Sequence, residues 1–299
     1  MTGNVADHPL PEQSAHKTLL TRRNFLRGSA LTAAGLAIYS SEIARHEISI
    51  LTPTISIRNL PDAFQNFRIA QISDIHFDEY TEAAFVRRVV AHVNSLQPDL
   101  VLLTGDFISD NPLPRSFARG ALHRCAEVLH GIACPQRFAI MGNHENFLGD
   151  QFVRAVLASA GIPMLVNQHI PIERAGQRLW LCGVDDPVSR FPNLNLAIPE
   201  RPDGPVLLMS HGPDYADQVV AHPRGPLVDL MFAGHSHGGQ VRLPIVGALC
   251  HSDGGKKYVQ GLFRLNQMQL YVNRGIGTVG VPFRLNCPPE ITLFTLHNA

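Results

Sequence analysis

Phe67-Arg68-Ile69-Ala70-Gln71-Ile72-Ser73-Asp74-Ile75-His76 is an apolar run of strand length that ends on a carboxylate and an imidazole. The same arrangement recurs four times further along. Residues 99–104 run into Gly105-Asp106, 137–141 into Gly142-Asn143-His144-Glu145, 205–210 into His211-Gly212-Pro213, and 228–233 into Gly234-His235-Ser236-His237-Gly238-Gly239. Stretches such as Leu100-Val101-Leu102-Leu103 are apolar at successive positions, which fits strands covered on both faces. Between the runs, residues 82–96, 115–130, 151–160 and 213–222 read as helices. Strands alternating with helices on right-handed crossovers predict an α/β domain with a largely parallel sheet. From Val241 onward, short pieces at 257–262, 268–273 and 290–296 alternate with Gly/Pro turns, which predicts a second, more antiparallel sheet. Residues 49–299 are therefore expected to form two sheets around one core.

In a parallel sheet the carboxyl ends of the strands share one edge, where α/β proteins build their sites. The five polar clusters should converge there. Aspartate and histidine bind first-row divalent ions through oxygen and nitrogen, and an asparagine carbonyl adds a neutral oxygen. The absence of cysteine from the clusters argues against a structural zinc site. Asp74, His76, Asp106, Asn143, His211, His235 and His237 are too many ligands for one ion. Two ions sharing Asp106 would have four protein ligands each, leaving positions for water and substrate. Such a centre carries more positive charge than Asp74 and Asp106 return, which favours an anionic substrate. A lone histidine is most often a hydrogen-bonded core or surface residue; the ordered set of five clusters is what carries weight. Gly238 and Gly239 are expected to let backbone approach the ions.

The rest of the chain narrows the class. Among 299 residues, 25 basic and 25 acidic side chains balance, so no global field gathers nucleic acid, and no nucleic-acid partner is expected. With 45% hydrophobic residues, the chain lacks the signature of disorder. Five cysteines without a CxxC pair make neither a zinc framework nor a disulfide-dense scaffold, and Cys182, in an apolar run, is expected in the core. Residues 1–48 read as an address and linker. Thr21-Arg22-Arg23-Asn24-Phe25-Leu26-Arg27 precedes a weakly apolar run at 28–39, shorter than the roughly 20 residues that cross a bilayer as a helix. It resembles a bacterial twin-arginine export signal. The expectation is delivery by the twin-arginine translocase to the periplasm or cell envelope, with peripheral membrane contact if the signal stays uncut.

With those residues in place, the chain resembles the calcineurin-like metallophosphoesterase superfamily, whose blocks are Asp-x-His, Gly-Asp, Gly-Asn-His-Asp/Glu, a single His, and Gly-His-x-His. It is most similar to twin-arginine-exported bacterial phosphodiesterases, through the signal, the extended Gly-His-Ser-His-Gly-Gly-Gln block, and Asn273-Arg274-Gly275-Ile276-Gly277 followed by Arg284-Leu285-Asn286-Cys287-Pro288-Pro289-Glu290. The same subgroup is related to UDP-2,3-diacylglucosamine pyrophosphatases. The resemblance implies a four-layer α-β-β-α sandwich with two mixed sheets. It implies that Asp74, His76 and His237 hold one metal, that Asn143, His211 and His235 hold a second, and that Asp106 bridges them. His144 would face the substrate phosphate, protonated and oriented by Glu145, which stands where many members have Asp. Two divalent ions drawn from manganese, iron and zinc are expected, activating a hydroxide toward a phosphodiester or a lipid-linked phosphate. Arg274 is a candidate substrate contact; Arg242, Lys256, Lys257 and Arg284 read as surface cations. Two other readings are a pyrophosphatase of the UDP-2,3-diacylglucosamine type and an envelope binding protein that keeps a structural metal site.

Overall fold

The computed structural model describes residues 21–77, 80–110 and 114–299. Residues 1–20 of the address segment lie outside it. The paired arginines open a helix, Arg22–Ile38, whose first turn is capped by Thr21 Oγ1 accepting the Asn24 N–H at 3.2 Å. Among the described residues no helix is long and apolar enough to cross a membrane.

The main folded body is Ser40–Ala299 and so begins ahead of the boundary expected at residue 49. The Ser40 carbonyl accepts the Arg284 N–H at 3.0 Å, and Arg45 forms an ion pair with Glu82 at 2.9 Å, which tie residues 40–48 into the body.

Two mixed sheets face each other. In the first, the order is Ser49–Leu51, Glu290–Asn298, Arg68–Ile72, Leu100–Leu103 and Arg137–Ala139, and Thr54–Ile57 also pairs with Glu290–Asn298. In the second, it is Gly261–Leu265, Met268–Val272, Val228–Ala233, Val206–Met209, Gln177–Gly183 and Gln168–Arg174. The apolar runs explain the layering through the two-residue period of a strand. Ile69, Leu100 and Leu102 point inward to meet Leu207, Met209, Leu230 and Phe232 of the other sheet. Their neighbours Ala70, Val101 and Leu103 point outward against Val86, Val89 and Val93 of helix Ala83–Ser95 and Leu122 of helix Arg115–Leu129. On the far side, Leu208 and Met231 pack against Leu194, Ala216 and Val219. Cys182 joins that cluster, as the sequence suggests. The result is four layers, α-β-β-α. Each fully buried aliphatic side chain contributes roughly 1.5–3 kcal/mol.

Two expectations need correction, and one element is new. The tail does not make a sheet of its own. Glu290–Asn298 inserts into the first sheet, antiparallel to Arg68–Ile72, and Met268–Val272 extends the second, parallel to Val228–Ala233. The strand expected at 257–262 starts only at Gly261, because the amides of Lys257 and Tyr258 are taken by the Asp214 carboxylate at 3.1 Å and cannot join a ladder. Finally, the strand order includes a hairpin that the pattern did not reveal, Gln168–Arg174 with Gln177–Gly183, turned by Ala175 and Gly176 at φ of 49° and 76°.

Candidate metal centre

The five clusters converge, but from two sheets. Asp74, His76, Asp106 and Asn143 follow strands of the first sheet, and His211, His235 and His237 follow strands of the second. Hydrogen bonds stitch the two sets together. The His235 amide donates to both oxygens of Asp74 at 2.9 and 3.0 Å, His211 Nδ1 donates to the Thr104 carbonyl at 2.8 Å, and Gln71 Nε2 donates to the Ala233 carbonyl at 3.0 Å. Asp74, His76, Asp106, His235 and His237 all adopt left-handed backbone, with φ between 47° and 67°. Each such residue costs about 1–3 kcal/mol and persists only where the surroundings hold it. Here it reverses the chain directly after the strand, so the side chain turns into the seam between sheets. Gly142 and Gly234 permit the close approach: a Cβ on Gly142 would lie 2.1 Å from Asp106 Oδ1, and one on Gly234 would lie 2.4 Å from Asp74 Oδ2.

Two donor groups result. One ligand atom from each of Asp74, His76, Asp106 and His237 lies within 4.8 Å of the others, and the same holds for Asp106, His211 and His235. Asp106 belongs to both. Asn143 Oδ1 stands 3.1 Å from His211 Nε2 and so adjoins the second group.

The chemistry of the donors fits divalent cations. The outer nitrogens of three histidines have partners: His211 Nδ1 at Thr104, His235 Nε2 donating to the Asp253 carbonyl at 2.7 Å, and His76 Nδ1 at 2.9 Å from Ser109 Oγ. Partners of this kind orient an imidazole and turn its other nitrogen toward a metal. Those inner nitrogens crowd together, His76 Nε2 3.0 Å from His237 Nε2 and His235 Nδ1 3.1 Å from His211 Nε2. Burial, reinforced by neighbouring imidazoles, lowers His76 to a pKa of about 3 and His235 to about 4, so both imidazoles are neutral at neutral pH, the form in which histidine can bind a cation. Burial, reinforced by the nearby Asp106 carboxylate, also raises Asp74 to about 6, so its ionised form gains from a nearby cation. Burial opposes ionisation of Asp106 as well, yet the charges of His211 and His144 hold it well below the usual carboxylate range.

Of the remaining expected residues, His144 reaches the cavity, whereas Glu145 and Arg274 have other partners than anticipated. Glu145 does not touch the His144 ring. Its buried carboxylate accepts the amides of Gly142 at 2.9 Å, Asp106 at 3.2 Å, Ile108 at 3.3 Å and Phe107, which makes it a clasp for the Asp106 loop. His144 is held by Asp110, Nδ1 to Oδ1 at 2.6 Å. Burial works against its protonation, but Asp106 and the hydrogen bond to Asp110 push it up to about 9. Arg274 points to Glu290, Nε to Oε2 at 2.5 Å, so its charge is already matched. Arg284, read as a surface cation, is fully buried and donates to the carbonyls of Cys287, Arg274, Gly275 and Gly277. A Cβ on Gly238 would meet Cys287 and one on Gly239 would meet Ala248, and Gly239 lines the cavity above the donor groups.

Sequence reasoning also missed Asp186. It is buried, accepts the amides of Val188 at 3.1 Å and Ser189 at 2.9 Å, and bonds Asn146 Nδ2 at 3.2 Å, organising the loop beside Asn143. The signal was present as Asp185-Asp186-Pro187, one residue after the strand Gln177–Gly183.

The centre opens at the floor of a cavity of about 330 Å³, where Asp106, His144, His235 and His237 meet walls that include Val241, Val279 and Val281. A model of calcineurin-like phosphoesterases matches residues 67–239, which is more than half of the chain. The chain belongs to the calcineurin-like phosphoesterase family. As a member, it is a metallophosphoesterase, a hydrolase of phosphoric esters that uses divalent metal. The metallophosphoesterase YkuE of Bacillus subtilis is 30% identical over 290 residues, covering 93% of this chain and 98% of its own. The phosphodiesterase YaeI of Escherichia coli is 30% identical over 299 residues, covering 93% and 100%. The UDP-2,3-diacylglucosamine pyrophosphatase LpxG of Chlamydia muridarum is 26% identical over 298 residues, covering 78% and 85%.

Proposed function

We propose that this metallophosphoesterase is a phosphodiesterase with a two-ion centre. Asp74, His76 and His237 would hold one ion, Asn143, His211 and His235 the other, and Asp106 would be shared. The observation that carries the reading is the pair of buried donor groups meeting at Asp106 on the floor of the cavity. Bound ions supply Lewis acidity toward phosphoryl oxygens and lower the pKa of water.

The chain's own residues supply the rest. Asp110 fixes the His144 ring so that Nε2 turns toward Asp106 Oδ2, 4.0 Å away. Protonated there, His144 donates to a phosphate oxygen or to the departing ester oxygen, a role worth about 10²–10⁴-fold in rate. Glu145 keeps the Asp106 loop in register. Water made more acidic by bound metal would serve as the nucleophile, so no covalent enzyme intermediate is needed; the Ser236 hydroxyl at the cavity wall donates to the Val259 carbonyl at 2.5 Å.

The N/O donor set suits manganese, iron or zinc. The arginine pair Arg22-Arg23 supports export by the twin-arginine translocase to the periplasm or envelope. A second reading, cleavage of a lipid-linked diphosphate of the UDP-2,3-diacylglucosamine type, is supported by the Chlamydia muridarum relative and by the aliphatic cavity wall. A binding protein with a structural metal site is the third. The deciding experiment is hydrolysis of bis(p-nitrophenyl) phosphate by chelated protein, then with manganese restored. Activity lost to chelator and returned by metal is the expected result. A folded protein inactive with every divalent metal sinks the phosphodiesterase reading and moves the search to lipid-linked diphosphates.

A further inference from the structure

Arg242–Leu243 pairs antiparallel with Gly247–Ala248, leaving a three-residue tip, Pro244-Ile245-Val246. Leu243, Ile245, Val246 and Leu249 are all exposed, Ile245 completely, and Val281 stands exposed on the neighbouring loop. Residues 243–249 contain no charged side chain. The tip also carries strain. Ile245 sits at a φ of 68°, a conformation that a β-branched residue adopts only at a cost and that Gly or Asn would take easily. Among the described residues this bulky aliphatic side chain has nothing to pack on, so its apolar surface is open to a contact outside the fold.

The foot of the hairpin is anchored. Ala248 fills the space over Gly239, the Leu249 amide donates to the Val241 carbonyl at 3.0 Å, the Arg242 amide donates to the Leu285 carbonyl at 2.9 Å, and Arg242 Nη1 donates to the Gly238 carbonyl at 2.8 Å. Val241, Cys250 and His251 at this foot line the cavity above the metal centre, and Val281 completes its rim. The apolar tip is thus a rigid extension of the cavity wall.

We propose that this hairpin inserts into a lipid surface and holds the cavity mouth at the level of the headgroup phosphates. The tip projects and forms no groove. It offers aliphatic chains without aromatic or arginine anchors of the kind that dominate protein interfaces. The only cation of the hairpin as a whole, Arg242, lies at the foot, where headgroups would be. The link from this surface to catalysis rests on the phosphodiesterase reading: the substrate would be a phosphodiester carried on a membrane lipid.

The test uses the full chain and vesicles of phosphatidylethanolamine and phosphatidylglycerol in a flotation assay, with metal chelated so that ions cannot bridge protein to lipid. The Ile245→Asp/Val246→Asp variant is compared with wild type and with Phe191→Asp, which alters an exposed aromatic outside the hairpin. Every arm keeps the helix Arg22–Ile38, so a difference reports on the tip. Vesicle association should fall about tenfold or more in the double variant and stay at the wild-type level in Phe191→Asp. Hydrolysis of soluble bis(p-nitrophenyl) phosphate should be equal in all three. Wild-type protein that does not float, or a double variant that floats like wild type, overturns the proposal. So does a double variant whose change appears only as a lost dimer, which would assign the tip to a second copy of the chain. If wild type floats but hydrolyses no diester, the catalytic reading fails and the lipid contact stands.

Discussion

Replacing Glu145 by Gln removes one carboxylate oxygen from a site where two oxygens serve four backbone amides. Gly142 and Asp106 donate to Oε2, and Phe107 and Ile108 donate to Oε1. The new amide nitrogen is a donor and must face two of these N–H groups. Each buried donor left without an acceptor costs about 1–3 kcal/mol, so the variant should lose roughly 2–5 kcal/mol. That is a large share of the 5–15 kcal/mol by which a domain is typically stable, yet it leaves the fold intact. In a body of this size it corresponds to a drop in Tm of roughly 5–20 °C. The loosened residues are the Asp106 loop, so the manganese concentration that half-restores bis(p-nitrophenyl) phosphate hydrolysis should rise about tenfold or more. Thermal unfolding of the chelated protein reads the first effect and the metal titration reads the second. A Gln variant that melts within about 2 °C of wild type would refute the clasp, since less than about 1 kcal/mol would then ride on four hydrogen bonds. A variant that melts normally but loses turnover with metal affinity unchanged would return Glu145 to the role of orienting His144.

His144→Ala should retain bound metal, measured by elemental analysis after desalting, while turnover falls about 10²–10⁴-fold; loss of the metal would mean that the imidazole is a ligand. Asp110→Asn should reduce turnover in the same direction by a smaller factor with metal content unchanged, and a wild-type rate would show that the 2.6 Å contact to His144 does not position it. Arg284→Met should lower stability by about 3–5 kcal/mol, read by denaturant unfolding, because it strands the carbonyls of Arg274, Gly275, Gly277 and Cys287; a change below about 1 kcal/mol would show that these carbonyls find water. Gly142→Ala should abolish metal-restored activity through the 2.1 Å clash with Asp106 Oδ1 while leaving the α-helical signal in circular dichroism unchanged.

The donor residues were legible because each stands directly after an apolar run, and a strand end is a position that a sequence displays. Which sheet each strand joins was not legible. Leu100–Leu103 and Val206–Met209 are apolar on both faces, so nothing in their pattern distinguishes the face toward the other sheet from the face toward the helices. The tail strand Glu290–Asn298 was misplaced for a related reason. Its partner Arg68–Ile72 lies more than two hundred residues earlier, and no local period reports so distant a pairing.

At the site the unreadable part is conformational. The letters Asp-Ile-His and His-Ser-His show which donors exist, but not that Asp74, His76, His235 and His237 take left-handed backbone to aim them. That geometry is upheld by groups that make poor motif letters: the Glu145 clasp under Asp106, the His235 amide on Asp74, and Arg284 binding carbonyls of the 274–277 loop that packs on Asp74. An isolated Glu or Arg in a loop reads as a solvated charge, because its burial depends on segments that meet only in the folded chain. The same holds for Asp110, which gains a role solely from the loop that carries His144. Spacing between donors, and hence the separation of any ions they hold, is therefore set by residues that never touch the substrate. Substitutions at Glu145 and Arg284 should move metal affinity and stability together, whereas those at His144 and Asp110 should move turnover alone.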